Sequence, residues 1–511
     1  MFSSVISAAI WGVEARKVYV EADVSSGLPC FSIVGYATAQ VKEAQERVRT
    51  ALRNAGLMIP PKRVTINLAP ADLRKEGNGF DLPVAAAILL AVGRIPPDSM
   101  QGVLVMGELG LDGCIRGANG ILPAVLSAKK EGCHTCLVPA VNQAEGSIVE
   151  GIRVIGLSSL EEFLAFACYG TLPAQGKNFR EMQEDPYEEL DYAQISGQEE
   201  VKRAVLLAAS GFHNLLLCGQ PGSGKTMIAK RMLSILPPMS REESLEVMKI
   251  HSIAGTLPEG GIVQKRPFRA PHHTVSPQAL AGGGRIPTPG EVTLAHHGVL
   301  FLDELAEMPR KSIEILRQPL EEREITIARL NGTFRFPASF LLLAAMNPCP
   351  CGCYPDLNRC SCTESEIHRY RSRISKPLME RIDLCAEVPL VSYRDLKGDG
   401  SCLGSAGMRR EVMRVHEIQK KRYQNSKIRF NAQLDAEGIR RFCPVDEEAE
   451  ILLGQAFQCM RLSVRAYHQI IKVARTAADL EESGVIRKKH ISEAVCYRSL
   501  DEKSGGYESE G

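Results

Sequence analysis

Leu215-Leu-Leu-Cys218-Gly219-Gln-Pro-Gly-Ser-Gly-Lys225-Thr226 is the stretch that decides the fold. A short apolar run enters a glycine loop of the pattern GxxxxGK[ST], and a helical stretch follows it. The glycines let backbone N–H groups converge on phosphate oxygens, and the helix N-terminus adds partial positive charge. Gly219, Gln220, Pro221, Gly222, Ser223, Gly224, Lys225 and Thr226 are therefore the candidate nucleotide-binding residues. Lys225 is expected to reach the β- and γ-phosphates of ATP, and Thr226 to ligate Mg2+. The competing reading, a glycine turn without a ligand, does not account for the strand and helix on either side.

Working outward, Val299–Leu302 and Phe340–Ala345 are further short apolar runs. Such runs suit a parallel sheet covered on both faces, so the fold class is α/β. Gly298-Val-Leu-Phe-Leu-Asp303-Glu304 places two carboxylates at a strand's C-terminal end, where ligands collect in open α/β sheets. Asp303 is expected to hold Mg2+ through water, and Glu304 to polarise the attacking water. Asn347 ends the strand Leu341–Met346 and is placed to face the γ-phosphate or that water. Arg381, in Leu378-Met-Glu-Arg-Ile-Asp383, suits a finger that neutralises developing charge on a neighbouring subunit's ATP. Arg465 opens a helix after Ser463, an expected N-cap. It shares one helical face with His468, Lys472 and Arg475, a face open to two readings, solvation or nucleotide contact. For Arg465 nucleotide contact is the favoured one.

The chain has 511 residues, enough for three or four domains. It is 44% hydrophobic and 24% charged, an ordinary globular composition. Sixty-one Lys and Arg against 60 Asp and Glu exclude a wholly basic nucleic-acid coat, so any DNA surface is a local stripe. No run approaches the ~20 apolar residues of a membrane span. Met1–Val13 is apolar, but its first cations, Arg16 and Lys17, come after it; the order is wrong for a signal peptide and suits a first strand. Sixteen cysteines without an export signal point to reduced thiols in the cytoplasm.

Residues 1–170 read as one α/β domain, with strands at Val18–Val24, Arg63–Leu68 and Val103–Met106 and helices at Val41–Ala55 and Asp81–Val92. An acidic linker is expected over 171–192, the nucleotide-binding core over 193–390, a helical domain over 391–503 and a frayed tail over 504–511. Ile325–Phe336 alternates around Asn331-Gly332 and is predicted to be a hairpin with Arg329 and Arg335 flanking its turn. Those two arginines are candidate DNA-phosphate contacts, the alternative being a hairpin that only braces the sheet. Cys349, Cys351, Cys353, Cys360 and Cys362 follow Asn347 closely. Two CxC pairs supply four thiolates for structural Zn2+; Cys349, Cys351, Cys360 and Cys362 are the expected set, and unliganded thiols the alternative. His272/His273 and His296/His297, lacking spaced acidic partners, read as packing or hydrogen-bonding pairs.

In this order the motifs resemble AAA+ ATPases of the magnesium-chelatase-like, helix-2-insert type. Arg269-Ala-Pro-His-His-Thr274 through Gly282-Gly-Gly-Arg-Ile-Pro-Thr-Pro-Gly290-Glu291 resembles that insert. Gly27-Leu-Pro-Cys-Phe-Ser-Ile-Val-Gly35, Asn67-Leu-Ala-Pro-Ala-Asp72 and Lys75-Glu-Gly-Asn-Gly-Phe-Asp-Leu-Pro83 resemble the Lon-protease-like domain of the ComM/YifB family. The resemblance implies an N-terminal Lon-like (ribosomal S5 domain 2-like) domain, a P-loop AAA+ core and a C-terminal helical lid. It also implies an ATP-driven homo-hexamer that moves along single-stranded, forked or branched DNA, with the hairpin in the ring's pore. In that family the role is branch migration in homologous recombination, notably in natural transformation, which makes recombination proteins possible partners.

Lon-type peptidase chemistry needs a nucleophilic Ser and a Lys base. Laid on the Lon segments, this chain has Gly79 at the Ser position and Leu122 at the Lys position, so the first domain is expected to be a scaffold and not a protease. The alternative function is a magnesium-chelatase-like ATPase that remodels a protein partner.

Overall fold

Two sheets organise the chain, and the apolar N-terminus opens the first. The computed structural model describes residues 1–173, 190–257, 263–284, 287–329, 332–391 and 404–498. Strands β1 (Phe2–Trp11) and β2 (Glu14–Ser25) pair antiparallel from Phe2↔Asp23 to Trp11↔Glu14. Val18, Val20, Ala22 and Val24 of β2 are buried, as period-two alternation requires of a strand with one wet face. With β3 (Cys30–Val34), β4 (Arg63–Ala69), β5 (Val103–Val105), β6 (Thr135–Pro139) and β7 (Arg153–Leu157), they form a mixed seven-stranded sheet of order β3-β4-β2-β1-β5-β6-β7.

Helix α1 (Ala39–Asn54) buries one face, Val41, Ala44, Val48, Ala51 and Leu52. Helix α2 (Asp81–Ala91) is buried almost all round, which explains its lack of a polar stripe. Its one charge, Asp81, is held by Arg47 through two hydrogen bonds of 2.7 and 2.8 Å and accepts a third from the Leu109 N–H. Burial raises the Asp81 pKa, and Arg47 opposes that rise. Helix α3 is Ile121–Lys130.

The second sheet is wholly parallel. Its strands are β8 (Leu215–Gly219), β9 (Phe268–Arg269), β10 (Val299–Leu302), β13 (Leu341–Met346) and β14 (Leu384–Val388), in the order β9-β10-β13-β8-β14. A separate antiparallel pair, β11 (Glu324–Arg329) and β12 (Gly332–Pro337), is the expected hairpin. Alternate residues of each parallel strand enter different cores. Leu215, Leu217, Val299, Phe301, Leu341 and Leu343 join α4 (Glu199–Gly211), α5 (Lys225–Ile235) and the C-terminal helices. Leu216, Leu300, Leu302, Leu342 and Ala344 join the buried face of the hairpin. This double coverage is why the strands read as unbroken apolar runs. The C-terminal helices include α7 (Ser405–Arg422) and α8 (Val464–Leu480).

Among the described residues the two halves meet at two places. Helix α6 (Arg241–Ala254) lies against α3, where the Gly120 N–H donates to the Ser252 carbonyl at 3.1 Å and Arg241 pairs with Glu150 at 2.5 Å. At the other, Trp11 packs on Phe334 of the hairpin with ring centroids 4.6 Å apart, and Arg16 lies over the indole. Trp11 is the chain's single tryptophan, so selectively excited tryptophan emission reports this junction alone. Native emission is expected to be blue-shifted and to move to the red in Phe334→Ala. Emission already at the solvent-exposed wavelength in the unaltered protein would contradict the packing.

Residues 174–189 of the expected linker, Arg285 and Ile286 of the insert motif, Asn331 of the hairpin turn, residues 392–403 and the tail 504–511 lie outside the described residues.

Candidate functional site

The glycine loop runs from the end of β8 to the start of α5. Gly219 is required there by space: a Cβ would stand 2.4 Å from the Val388 carbonyl oxygen and 2.8 Å from Ser223 Oγ. Lys225 opens α5, and its side chain turns back over the loop. Its Nζ donates to the carbonyls of Gly219 (2.7 Å) and Gln220 (3.0 Å) and to Asn347 Oδ1 (3.2 Å). Burial lowers the Lys225 pKa, and Asp303 and Glu304 oppose that fall. An entering polyphosphate would favour the charged form in the same way.

Thr226 Oγ1, in the first turn of α5, donates to Asp303 Oδ2 at 2.8 Å beyond the end of β10, so the two expected Mg2+ ligands already adjoin. A hydroxyl beside a carboxylate is a hard oxygen pair that suits Mg2+. Asp303 Oδ1 accepts from the Glu304 N–H at 2.9 Å. Glu304 itself has φ 51°, a left-handed conformation that non-glycine residues rarely adopt and that clusters at functional sites. Its half-exposed carboxylate lies 2.9 Å from His273 Nδ1.

His273 is a site residue that sequence reasoning missed as an actor. It belongs to the quoted insert motif, but the pairing spans about thirty residues, and nothing local announces it. The second histidine pair has an acidic partner after all. His296 Nε2 and His297 Nε2 lie 3.1 and 2.7 Å from one oxygen of Glu246. The Ser339 N–H donates to His296 Nδ1 at 3.0 Å, so that ring carries its proton on Nε2 and gives it to Glu246. Burial pushes His296 down to about 4, and the two imidazoles hold Glu246 well below the usual carboxylate range. The three side chains form one hydrogen-bonded cluster, a ligand atom of each within 4.8 Å of the others.

Arg381 and Arg465 are gathered elsewhere. Both guanidinium groups face Glu321: Arg381 forms a close ion pair with it, and Arg465 lies 3.6 Å away. Arg381 also donates to the Pro377 carbonyl at 2.6 Å. Among the described residues, no hydrogen bond joins any arginine to the side chains of Lys225, Thr226, Asp303, Glu304 or Asn347. Ser463 caps α8 as expected, accepting from the Ala466 N–H. The cationic face of α8 is not uniformly solvated, however. Arg475 is fully buried, 3.0 Å from Asp479, and donates to the Gly484 carbonyl. The helix sinks into the core along its length, and the carboxylate four residues on neutralises the charge there.

On the hairpin, Ile325, Ile327, Phe334 and Phe336 are buried, while Arg329 and Arg335 are exposed. Arg329 donates to the Gly284 carbonyl at 3.3 Å, and Arg335 lies 3.9 Å from Glu324. In the N-terminal half, Gly79 stands where a Cβ would meet Met106 and Ala118, and Leu122 is fully buried in the same apolar cluster.

The Sγ atoms of Cys349, Cys351, Cys360 and Cys362 all lie within 4.8 Å of one another. The Cys349–Cys351, Cys349–Cys360 and Cys351–Cys360 separations of 3.4, 3.7 and 3.5 Å approach the edge of about 3.8 Å that a tetrahedron with Zn–S bonds of about 2.3 Å requires. The Cys353 thiol points instead to the Cys351 carbonyl at 3.7 Å. The Cys353 backbone N–H and the neighbouring thiols bring the Cys351 pKa down to about 6. The cysteine loop lies directly on the glycine loop: Gln220 Nε2 donates to the Cys353 carbonyl at 3.0 Å, and at Gly352 (φ 80°) a Cβ would stand 2.6 Å from Pro221 Cδ.

This chain matches a family model described as magnesium chelatase, subunit ChlI, over residues 191–396. Companion models match residues 20–142 (subunit ChlI of Mg-chelatase) and 403–498 (its C-terminal part). It is 42% identical over 501 residues to Competence protein ComM of Haemophilus influenzae, covering 97% of each chain. The chain belongs to the ComM/YifB family. Its ComM/YifB relatives include YifB of Escherichia coli, 40% identical over 98% of this chain and 97% of the other. Lon protease 2 of Bacillus subtilis is 29% identical over 127 residues, 25% of this chain and 22% of that protein. The expected magnesium-chelatase-like fold thus agrees with the family models over the core and the C-terminal part, and the Lon protease 2 match adds a weak Lon-like similarity.

Proposed function

We propose that this ComM/YifB protein is an ATPase working as a homo-hexameric ring that drives itself along DNA and promotes branch migration. The observation that carries the reading is the separation of the site into two incomplete parts. Lys225, Thr226, Asp303, Glu304 and Asn347 supply phosphate, Mg2+ and water positions, while Arg381 and Arg465 stand together at Glu321. An arginine finger offered to the next protomer's γ-phosphate completes such a site only in an assembly. Bound Mg2+ would be held at Thr226 and Asp303 and would neutralise charge on the β- and γ-phosphates. Glu304, steadied by His273, accepts the proton of the attacking water.

DNA enters through the exposed edge of the hairpin, where Arg329 and Arg335 hold backbone phosphates without reading sequence. The H. influenzae relative is a competence protein, which supports a role in recombination during natural transformation, with recombination proteins as partners. The Lon-like part, residues 1–170, serves as a scaffold joined by the 171–192 linker to the core at 193–390 and the lid at 391–503. No helix among the described residues is long and apolar enough to cross a membrane, and the reading places the protein in the cytoplasm.

Fork and three-way-junction unwinding tests this function. ATP-dependent strand separation, falling steeply between about 50 and 200 mM salt, is the expected result. Good ATPase with inactivity on every DNA would reject it in favour of a magnesium-chelatase-like remodelling ATPase, the reading that the family models would then favour.

The four-thiol cluster is read as structural Zn2+ at Cys349, Cys351, Cys360 and Cys362. Metal analysis of the purified protein is expected to find about one zinc per chain, lost in Cys360→Ser and kept in Cys353→Ser. Because the loop rests on Gln220 and Pro221, losing the metal is expected to weaken nucleotide binding several-fold. Zinc retained in Cys360→Ser would contradict the ligand set.

A further inference from the structure

A cavity of about 190 Å3 lies between the second sheet's surroundings and the C-terminal helices. Arg323, Arg381, Arg465 and Lys472 line it, against two carboxylates, Asp383 and Asp435. Both carboxylates are already committed. Asp383 accepts from the Asn214 N–H at 3.0 Å, and Asp435 caps a helix through the Gly438 N–H at 2.7 Å. With Glu321 beside Arg381 and Arg465, four cations meet three carboxylates, and the concave site keeps one positive charge in surplus.

Its polar groups are under-used. Among the described residues, Lys472 Nζ makes one hydrogen bond, 3.3 Å to the Ala432 carbonyl, out of three it can donate. Arg323 makes no hydrogen bond from its guanidinium among the described residues; Asp383 is the carboxylate that offsets its charge. Arg323 also holds φ 56°, a strained conformation for a side-chain-bearing residue. Arg381 Nε, in the same lining, is buried without a partner. Burial lowers the Lys472 pKa, Asp383 opposes, and Arg323 and Arg465 add to the fall. Crowded, half-satisfied cations of this kind are what a bound polyanion relieves.

We propose that this cavity is a phosphate-binding site in which Lys472 and Arg323 act alongside Arg381 and Arg465. Its occupant is the terminal phosphate of a nucleoside triphosphate held on the glycine loop of an adjacent copy of this chain. The inference rests on reading Arg381 as acting between subunits, and it extends that reading to two residues that no motif marks. Removing either cation would weaken charge stabilisation on the neighbour's nucleotide and leave the protomer's own glycine loop intact.

The test uses the full chain. Lys472→Gln is expected to lower steady-state ATP turnover at least tenfold, with equilibrium binding of a fluorescent ATP analogue unchanged. Lys472→Arg, which keeps the charge, is expected to retain most turnover. Mixing Lys472→Gln, whose glycine loop is intact, with Lys225→Ala, whose cavity is intact, is expected to restore activity. An Arg381→Ala plus Lys225→Ala mixture serves as the control. Recovery in the control but not with Lys472→Gln overturns the cavity assignment alone. Recovery in neither overturns the intersubunit reading and this proposal with it. Loss of nucleotide-free DNA binding in Lys472→Gln, with normal turnover, would assign the site to DNA phosphates and overturn the proposal.

Discussion

Glu304→Gln is expected to bind ATP with unchanged affinity while turnover falls by about a hundredfold to a thousandfold. The substitution keeps size and hydrogen-bonding reach but removes the carboxylate that accepts a proton from water. Nothing that grips the phosphates is altered, because Lys225 is held by Gly219, Gln220 and Asn347, and Thr226 by Asp303. The left-handed backbone at Glu304 projects its carboxylate from the end of β10 toward His273, 2.9 Å away, in place of folding it back on Asp303. The variant should therefore accumulate in the ATP-bound state and stay on DNA. Single-turnover hydrolysis with parallel equilibrium binding checks this. Near-normal hydrolysis would remove Glu304 from the chemistry.

Arg381→Ala is expected to have the larger effect, about a thousandfold on turnover, because a finger's guanidinium acts on charge that develops only in the transition state. The defect should be complementable. In a mixture with Lys225→Ala, some interfaces combine an intact glycine loop from one protomer with an intact finger from the next. Turnover of the mixture is then expected to exceed that of either variant alone. Glu321 holds Arg381 and Arg465 in the isolated chain, so releasing them onto a phosphate exchanges one anion for another and leaves neither cation unpaired. A mixture no more active than its components would mean that Arg381 serves its own subunit or only the fold.

Legibility followed sequence distance. The glycine loop, the β10 carboxylates and the Asn347 strand end could be read because each is a contiguous segment whose apolar run reports burial on both sheet faces. The two CxC pairs were legible for the same reason, and their four thiols converge while Cys353 turns away. Partners far apart in the chain were not legible. Glu246 is fifty residues from His296, Phe334 is over three hundred from Trp11, and Glu321 is sixty from Arg381. The cationic stripe on α8 failed for another reason. Helical spacing shows which side chains share a face but not how deep that face runs, and α8 descends from half-exposed Arg465 to fully buried Arg475. Asp479, four residues beyond Arg475, was the available signal of that burial.

Electron microscopy of the full chain with a non-hydrolysable ATP analogue and forked DNA tests the central claim most directly. The expected image is a six-membered ring with DNA in its pore and Arg381 of each protomer at the nucleotide of the next. Monomers alone, at saturating nucleotide and DNA, would contradict it.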